Sequence, residues 1–285
     1  MPEILEILED TTLDTIKLLP FLFITYLIME YIEHKTSDKV KKTIEKSGKF
    51  GPLFGGILGI FPQCGFSVSA TNLYAARVIT LGTLVAVYLT TSDEMLPILL
   101  TEAVSLSTIL TILGIKLVIG IVAGFAIDMI SRMIKKDSTE ETKIEELCEH
   151  EHCHCEDGII LSAVKHTLNI IIFIFIITLV INGVITLIGE ETIAHFISQN
   201  VILGPIIAGL IGLIPNCASS VILTELFVEN VISMPILISG VSVNAGVGLL
   251  VLFKTNKNMK ENLKIVSLLY AIGVVSGIIL ELILM

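Results

Sequence analysis

Hydrophobic residues in this chain fall into long, uninterrupted runs, unlike the spaced apolar positions of a soluble protein. Three of these runs are Leu18–Met29, Ile170–Ile181 and Ile265–Leu280. Apolar stretches of helix length are typical of membrane-spanning helices. The pattern therefore predicts an all-α polytopic membrane protein, with membrane lipid as its surroundings.

A second pattern is an internal repeat. The segment Gly51–Cys64 returns as Gly204–Cys217, with six of fourteen positions identical at a constant offset of 153. In the helix that opens each half the offset is 152, so that Asp14 corresponds to His166. A self-similar sequence indicates repeated structural units. We therefore divide the chain into a first transmembrane repeat (1–131), a linker (132–157) and a second transmembrane repeat (158–285).

Each half is predicted to contain the same helices, in the same order. They are a long opening helix (13–33 or 162–185), two half-length helices around Pro-Gln-Cys or Pro-Asn-Cys (51–62 and 65–76, or 204–215 and 218–229), an apolar segment interrupted at 90–94 or 242–246, and a closing helix (104–131 or 265–284). A helix of about 12 residues is about 18 Å long, too short for a hydrocarbon core of about 30 Å. The half-length helices are therefore expected to be broken or re-entrant.

Two topologies are consistent with these elements. The Pro-Gln/Asn-Cys units are either re-entrant hairpins, with three crossings per half, or broken helices that span, with four. Three crossings, with the N-terminus outside, place all sixteen Lys and Arg residues of the loops and their flanks inside, whereas four crossings place six of them outside. The positive-inside rule favours three crossings, with both termini outside and the linker 132–157 in the cytoplasm. An odd number of crossings makes the repeats inverted, as in many secondary transporters.

Composition excludes several other classes of protein. The 285 residues are 53% hydrophobic and only 16% charged, against about 25% charged in soluble domains. A soluble enzyme, a nucleic-acid-binding protein and a secreted disulfide scaffold are therefore excluded. The acidic N-terminus lacks the basic region of a signal peptide, so we expect no cleaved leader. No Walker A motif is present, which argues against ATP binding by that route.

The helix breaks carry the residues that we expect to contact a substrate. Irregular backbone inside a membrane is tolerated where it is buried in protein or lines a hydrated cavity. A buried cysteine is usually an inert small hydrophobe, but two cysteines at symmetric breaks, each beside an amide, favour a function. The candidate substrate-binding residues are Gln63, Cys64, Ser67, Asn216, Cys217, Ser220 and Asn244.

Ionisable residues within the predicted spans are candidates for ion coupling, because charge is costly in a membrane. Lys116 lies near the middle of the helix that closes the first half, where it needs either a carboxylate partner or the loss of its proton. Asp93, Glu94 and Asp128 are the candidate partners. We expect Asp93, Glu94 or Lys116 to carry a coupling proton.

The linker holds the densest group of potential metal ligands. Their spacing matches no zinc finger, but the bias toward Cys and His is typical of metal binding. Thiolate and imidazole ligands select ions such as Zn, Cd, Co, Ni and Cu(I). Such a loop fits a sensor or loading arm of an exporter, and a solvated linker with adventitious ligands is the alternative. The six residues are Cys148, His150, His152, Cys153, His154 and Cys155.

The paired motifs Pro62-Gln-Cys-Gly65 and Pro215-Asn-Cys-Ala-Ser-Ser220, with a Cys/His-rich central loop, resemble a family of ten-helix heavy-metal exporters. Members are labelled manganese transporters or arsenic efflux proteins. The resemblance extends over nearly the whole chain and implies efflux of a metal or metalloid ion. The ten helices would be six full spans and four half-length limbs.

The resulting hypothesis is a secondary transporter, not an enzyme, that exports a transition metal, heavy metal or metalloid through a midplane site. We expect no resident cofactor; the metal (Zn, Cd, Co, Ni or Mn) is substrate or regulator, and a homo-oligomer is left open. One rival is a transporter of a small anionic or organic solute, held by Lys116 and helix N-termini, with an incidental metal-binding loop. Rivals of another class are an intramembrane Cys/His enzyme, with His166 as base, and a membrane metal sensor without flux.

Overall fold

A computed structural model describes most of both halves of the chain, and every regular element within the described residues is a helix. The described residues are 50–61, 64–134, 159–188 and 203–284, with residues 8, 11–13, 15–20, 22–24 and 26–27 of an N-terminal helix.

The helices follow the predicted order in both halves. The first half contains α1 (Gly51–Gly59), α2 (Cys64–Ala75), α3 (Leu81–Thr90), α4 (Met95–Thr101) and α5 (Leu106–Ile134). The second half contains α6 (Ile159–Ile188), α7 (Leu203–Gly212), α8 (Cys217–Val228), α9 (Met234–Val243), α10 (Gly248–Thr255) and α11 (Met259–Leu284). The largest difference from the predicted bounds is that α11 begins at Met259 and not at 265.

Local sequence explains where several of these helices begin. The hydroxyl of Thr80 accepts a hydrogen bond from the Thr83 backbone N–H at 3.1 Å and caps α3. Pro52 and Pro235 lie in the first turns of α1 and α9. Proline is tolerated there because the first N–H groups of a helix have no partner within the helix.

Five segments of the described chain are long and apolar enough to cross a membrane. The interrupted segments Leu81–Thr101 (α3 and α4) and Met234–Thr255 (α9 and α10) are 72% and 89% buried, whereas the uninterrupted helices α5, α6 and α11 are only 24–28% buried over their most apolar windows. The interrupted spans therefore lie at the centre, and the uninterrupted helices present apolar side chains outward. This arrangement is that of a multi-pass membrane protein.

One half-length helix of each half packs against the other half. Helix α2 packs against α10, and α8 packs against α4. With 10 and 12 residues, α7 and α8 are too short to span a membrane singly. Each interrupted span is therefore covered at its second limb by a short helix of the opposite half.

Equivalent positions of the two halves make the same hydrogen bonds. Thr80 donates through its hydroxyl to Asp128 Oδ2 at 2.7 Å, and Ser233 donates to Glu281 Oε2 at 2.8 Å. Each residue of the second pair lies 153 positions after its counterpart in the first. In both halves the bond joins the start of the interrupted span to the closing helix.

Close backbone packing is repeated as well. A Cβ atom added to Gly124 on α5 would lie 2.6 Å from the carbonyl oxygen of Gly82, and one added to Gly277 on α11 would lie 3.0 Å from that of Pro235. These positions again differ by 153. The repeat recognised in the sequence is therefore a repeat of side-chain and backbone contacts.

Candidate functional site

The two helix interruptions meet near a buried lysine. Lys116, on α5, has no exposed surface. Its ammonium donates to the carbonyl oxygen of Thr91 at 2.5 Å and to that of Val241 at 3.0 Å. Thr91 is the C-cap of α3, and Val241 lies in the last turn of α9. Carbonyls in the last turn lack partners within the helix and carry partial negative charge, so they suit a cation.

Asp93 provides the negative charge for this lysine. Asp93 is 4% exposed, and its negative charge lies near enough to act on the Lys116 ammonium through space. It lies against the second interruption, because a Cβ atom on Gly246 would be 2.7 Å from Asp93 Oδ2. Gly246 has φ of +54°, a conformation that glycine adopts at low cost. The absence of a side chain at 246 thus makes room for the carboxylate.

The other two carboxylates considered as partners of Lys116 have different neighbours. Glu94 is partly exposed, and its Oε1 atom lies 4.0 Å from Nζ of Lys17 in the N-terminal helix. Asp128 accepts hydrogen bonds from Thr80 and from the Gly82 backbone N–H at 2.9 Å, at the beginning of α3. Of the three predicted candidates, Asp93 is the one that the fold brings into the field of Lys116.

Asn244 connects the two interruptions of the second half. Its amide nitrogen donates to Ser219 Oγ at 3.0 Å and to the Asn216 carbonyl at 3.4 Å. Its amide oxygen accepts from the Gly246 N–H at 2.7 Å. The backbone that faces Asp93 is therefore tied through one buried amide to the break before α8.

Cys217 lines a small cavity together with Asn216. Asn216 is 1% exposed and Cys217 is 5% exposed. The remaining walls come from the N-terminal helix, from α6 and from the second interruption, through Thr15, Leu18, Ile174, Thr178 and Val247. Thr91, Asp93 and Lys116 do not line it. The predicted site is thus divided, within the described residues, into a lysine–carboxylate centre and a thiol-lined cavity.

The two predicted serines lie within helices and face packed surroundings. Ser220 donates to the Cys217 carbonyl at 2.8 Å, within the first turn of α8. Ser67 is fully buried, and its Cβ atom would lie 3.0 Å from a Cβ on Gly248. Ser67 therefore marks the close contact between α2 and α10.

Several predicted ligands lie outside the described residues. They include Gln63 and the linker set of Cys148, His150, His152, Cys153, His154 and Cys155, while Cys64 is described only as the first backbone position of α2. Within the described ranges, no group of three or more His, Cys, Asp and Glu side chains could hold a metal ion. A metal centre in the described part would therefore need backbone carbonyl, hydroxyl or amide ligands as well.

Sequence reasoning did not identify three participants in these centres. The carbonyls of Thr91 and Val241 have no side-chain signature, although Thr91 lies within the predicted interruption. Thr178 is surrounded by apolar residues in a predicted span. Threonine in such a helix usually bonds its own backbone, so its position in the sequence carries no functional signal.

Comparison with known proteins assigns the chain to a family. The family model that matches is described as "Putative, 10TM heavy-metal exporter", and the match covers residues 4–191. This span contains the first repeat, the linker and the opening helix of the second repeat, which is well over half of the 285 residues. No curated protein and no solved structure matches the chain. The resemblance to this family is thereby confirmed over residues 4–191, which include the first of the paired motifs and the linker. The chain belongs to the ten-helix heavy-metal exporter family of multi-pass membrane transporters.

Proposed function

We propose that this protein is a secondary transporter that exports a transition metal, heavy metal or metalloid ion, with Lys116 and Asp93 as its coupling centre. The observation that carries the proposal is that the Lys116 ammonium bonds carbonyls from the interrupted spans of both halves beside a buried carboxylate. A buried charge pair is costly in a membrane and is a functional candidate by default.

The oxygen acceptors around Lys116 favour a cation over an anion as the transported species. The ammonium bonds two carbonyl oxygens and lies in the electrostatic field of the Asp93 carboxylate, and all three of these oxygen-bearing groups repel anions. A proton or metal cation that neutralises Asp93 would release Lys116 from its partner. Loss of that attraction would weaken the bond between the two halves at Val241, which couples ion binding to movement.

The relation of the two halves supports an alternating mechanism. Positions 93 and 246 are equivalent under the offset of 153, and they lie against each other. Equivalent positions of two repeats meet where a pseudo-two-fold axis passes. An axis in the membrane plane would make the repeats inverted, with the interruptions near the midplane, as in other secondary transporters.

The Cys/His-rich linker belongs to the same proposal as a cytoplasmic metal-binding arm. Its thiolate and imidazole groups would capture borderline and soft ions before transport or sense their concentration. Export from the cytoplasm then agrees with the positive-inside orientation, with both termini outside.

The experiment is metal flux in proteoliposomes, with Zn, Cd, Co, Ni, Mn and arsenite supplied singly. Wild type is compared with Asp93→Asn and Lys116→Met, and Asp128→Asn serves as the matched control because it is a buried carboxylate bonded away from Lys116. We expect flux of one ion, lost in the first two variants and kept in the control. No flux of any ion in wild type would overturn the proposal, as would full flux in Asp93→Asn.

A further inference from the structure

The cavity beside Cys217 contains a polar group that packing does not explain. Thr178, on α6, is 3% exposed and lines this cavity. Its hydroxyl has no hydrogen-bond partner within the described residues. A buried hydroxyl without a partner costs folding free energy. A bound ligand that interacts with the hydroxyl would remove this cost.

A second threonine on the same helix shows the ordinary arrangement. Thr167 is also 3% exposed, but its hydroxyl donates to the Ala163 carbonyl at 2.7 Å. Both residues are therefore buried threonines in an apolar helix, and they differ in whether the hydroxyl is satisfied by its own backbone. Thr178 lines the cavity, and its hydroxyl has no such partner in the described part of the chain.

The first half carries a larger residue at the position that corresponds to Thr178. With the offset of 152 found in the opening helices, Thr178 corresponds to Tyr26. Tyr26 is 2% exposed, and its hydroxyl donates to Asn72 Oδ1 at 3.4 Å. This position therefore carries a bulky phenol in the first half and the smaller threonine, beside the cavity, in the second.

We propose that Thr178 and Cys217 are ligands of a binding site for a soft or borderline metal ion in this cavity, with Thr178 setting its specificity. The inference rests on the proposed function, and it narrows the transported ion to one that binds sulfur ligands. The seven described residues that line the cavity carry no charged side chain. On metal binding the Cys217 thiol releases its proton to solvent, and the resulting thiolate with neutral hydroxyl and amide oxygens suits Cd²⁺ or Zn²⁺, whereas Mg²⁺ and Ca²⁺ require several hard oxygen ligands.

The site is also connected to the coupling centre. Asn216 lines the cavity, and its carbonyl accepts a hydrogen bond from Asn244. Asn244 in turn accepts from the Gly246 N–H, and Gly246 lies against Asp93. Metal binding at Cys217 that shifts Asn216 would therefore alter the backbone that faces Asp93.

The test is Cd²⁺ binding to the full chain in detergent, followed by the thiolate-to-cadmium charge-transfer absorption and by calorimetry. All proteins carry Cys148→Ser, Cys153→Ser and Cys155→Ser, so that Cys64 and Cys217 are the remaining thiols. We expect Thr178→Val to weaken Cd²⁺ binding about 10- to 100-fold. Thermal stability should not fall, because valine removes an unsatisfied hydroxyl. Thr178→Ser should keep the affinity.

Thr167→Val is the matched control, and we expect it to leave Cd²⁺ affinity unchanged. Thr178→Tyr restores the residue of the first half and should abolish binding by filling the cavity. Wild-type affinity in Thr178→Val would overturn the inference, as would a charge-transfer band that persists in Cys217→Ser. Both readouts measure binding without flux. Binding that depends on Thr178 in a protein that transports no metal would contradict the proposed function alone.

Discussion

Asp93 and Gly246 occupy equivalent positions in the two halves and lie against each other, with Asp93 Oδ2 2.7 Å from the place of a Cβ atom on Gly246. The carboxylate of one half thus occupies the space that glycine leaves in the other. An acidic residue at both positions would place two carboxylates together. Because the two halves differ at this position, only one of the two equivalent residues places a carboxylate at the point where they meet.

This relationship predicts that Gly246→Ala is destabilising. The left-handed backbone alone costs an alanine about 1–2 kcal/mol, and the new methyl group would meet the Asp93 carboxylate. Thermal unfolding in detergent measures the loss. Gly114→Ala is the control, since nothing lies within 4 Å of its added Cβ, and we expect it to stabilise by about 0.5–1 kcal/mol. Equal stability of the two variants would contradict the geometry of the second interruption.

The Lys116–Asp93 pair predicts strong thermodynamic coupling. Lys116 bonds two carbonyls and lies in the field of Asp93. Removing one member of a buried ion pair in contact typically costs roughly 3–5 kcal/mol, which is the upper bound for these two groups. We expect Lys116→Met and Asp93→Asn each to lower stability by up to that amount, and the double variant to be more stable than Lys116→Met alone. A double-mutant cycle in thermal unfolding measures the coupling. Additive losses would show that the two groups do not interact.

An ion pair joins the two halves away from this centre. Arg77, after α2, donates to both oxygens of Glu261 on α11 at 2.7 and 2.9 Å, and the Tyr74 hydroxyl donates to the same carboxylate. We expect Glu261→Gln to cost about 1.5–3 kcal/mol of stability, as for hydrogen bonds to charged groups.

The more exposed pair of Lys17 and Glu94, at 4.0 Å, is the comparison for Glu261. Because solvent screens such pairs, Glu94→Gln should cost less than about 1 kcal/mol. Thermal unfolding of both variants measures the two losses of stability under the same conditions. A larger loss for Glu94→Gln than for Glu261→Gln would contradict the assignment of the Arg77 pair as the stronger link.

We predict that the linker regulates metal flux and is not required for transport itself. Deletion of Cys148–Asp157 should preserve metal flux in proteoliposomes but change its dependence on metal concentration, because the capturing thiol and imidazole groups are lost. Replacement of the six Cys and His residues by serine is the control for linker length. Complete loss of flux in the serine variant would place these residues in the transport path.

The amino-acid sequence by itself determined the helices, the repeat and the breaks. Apolar runs of span length and the repeated Gly-Pro and Pro-Gln/Asn-Cys motifs are local features, and local features are sufficient to position helices and their interruptions. The need of Lys116 for a carboxylate or for the loss of its proton also follows from the sequence, because a charge in mid-span must be compensated.

Only the tertiary structure decided which groups meet. Lys116 is bonded by the carbonyls of Thr91 and Val241, and backbone carbonyls are the same in every residue, so no sequence pattern marks them. Asp93 and Glu94 are neighbours in the chain, yet their positions at the break direct one toward Lys116 and the other toward Lys17. The role that we propose for Thr178 depends on the packing of α6 beside Cys217. Contacts between distant segments depend on how the two halves pack, which is a property of the whole chain.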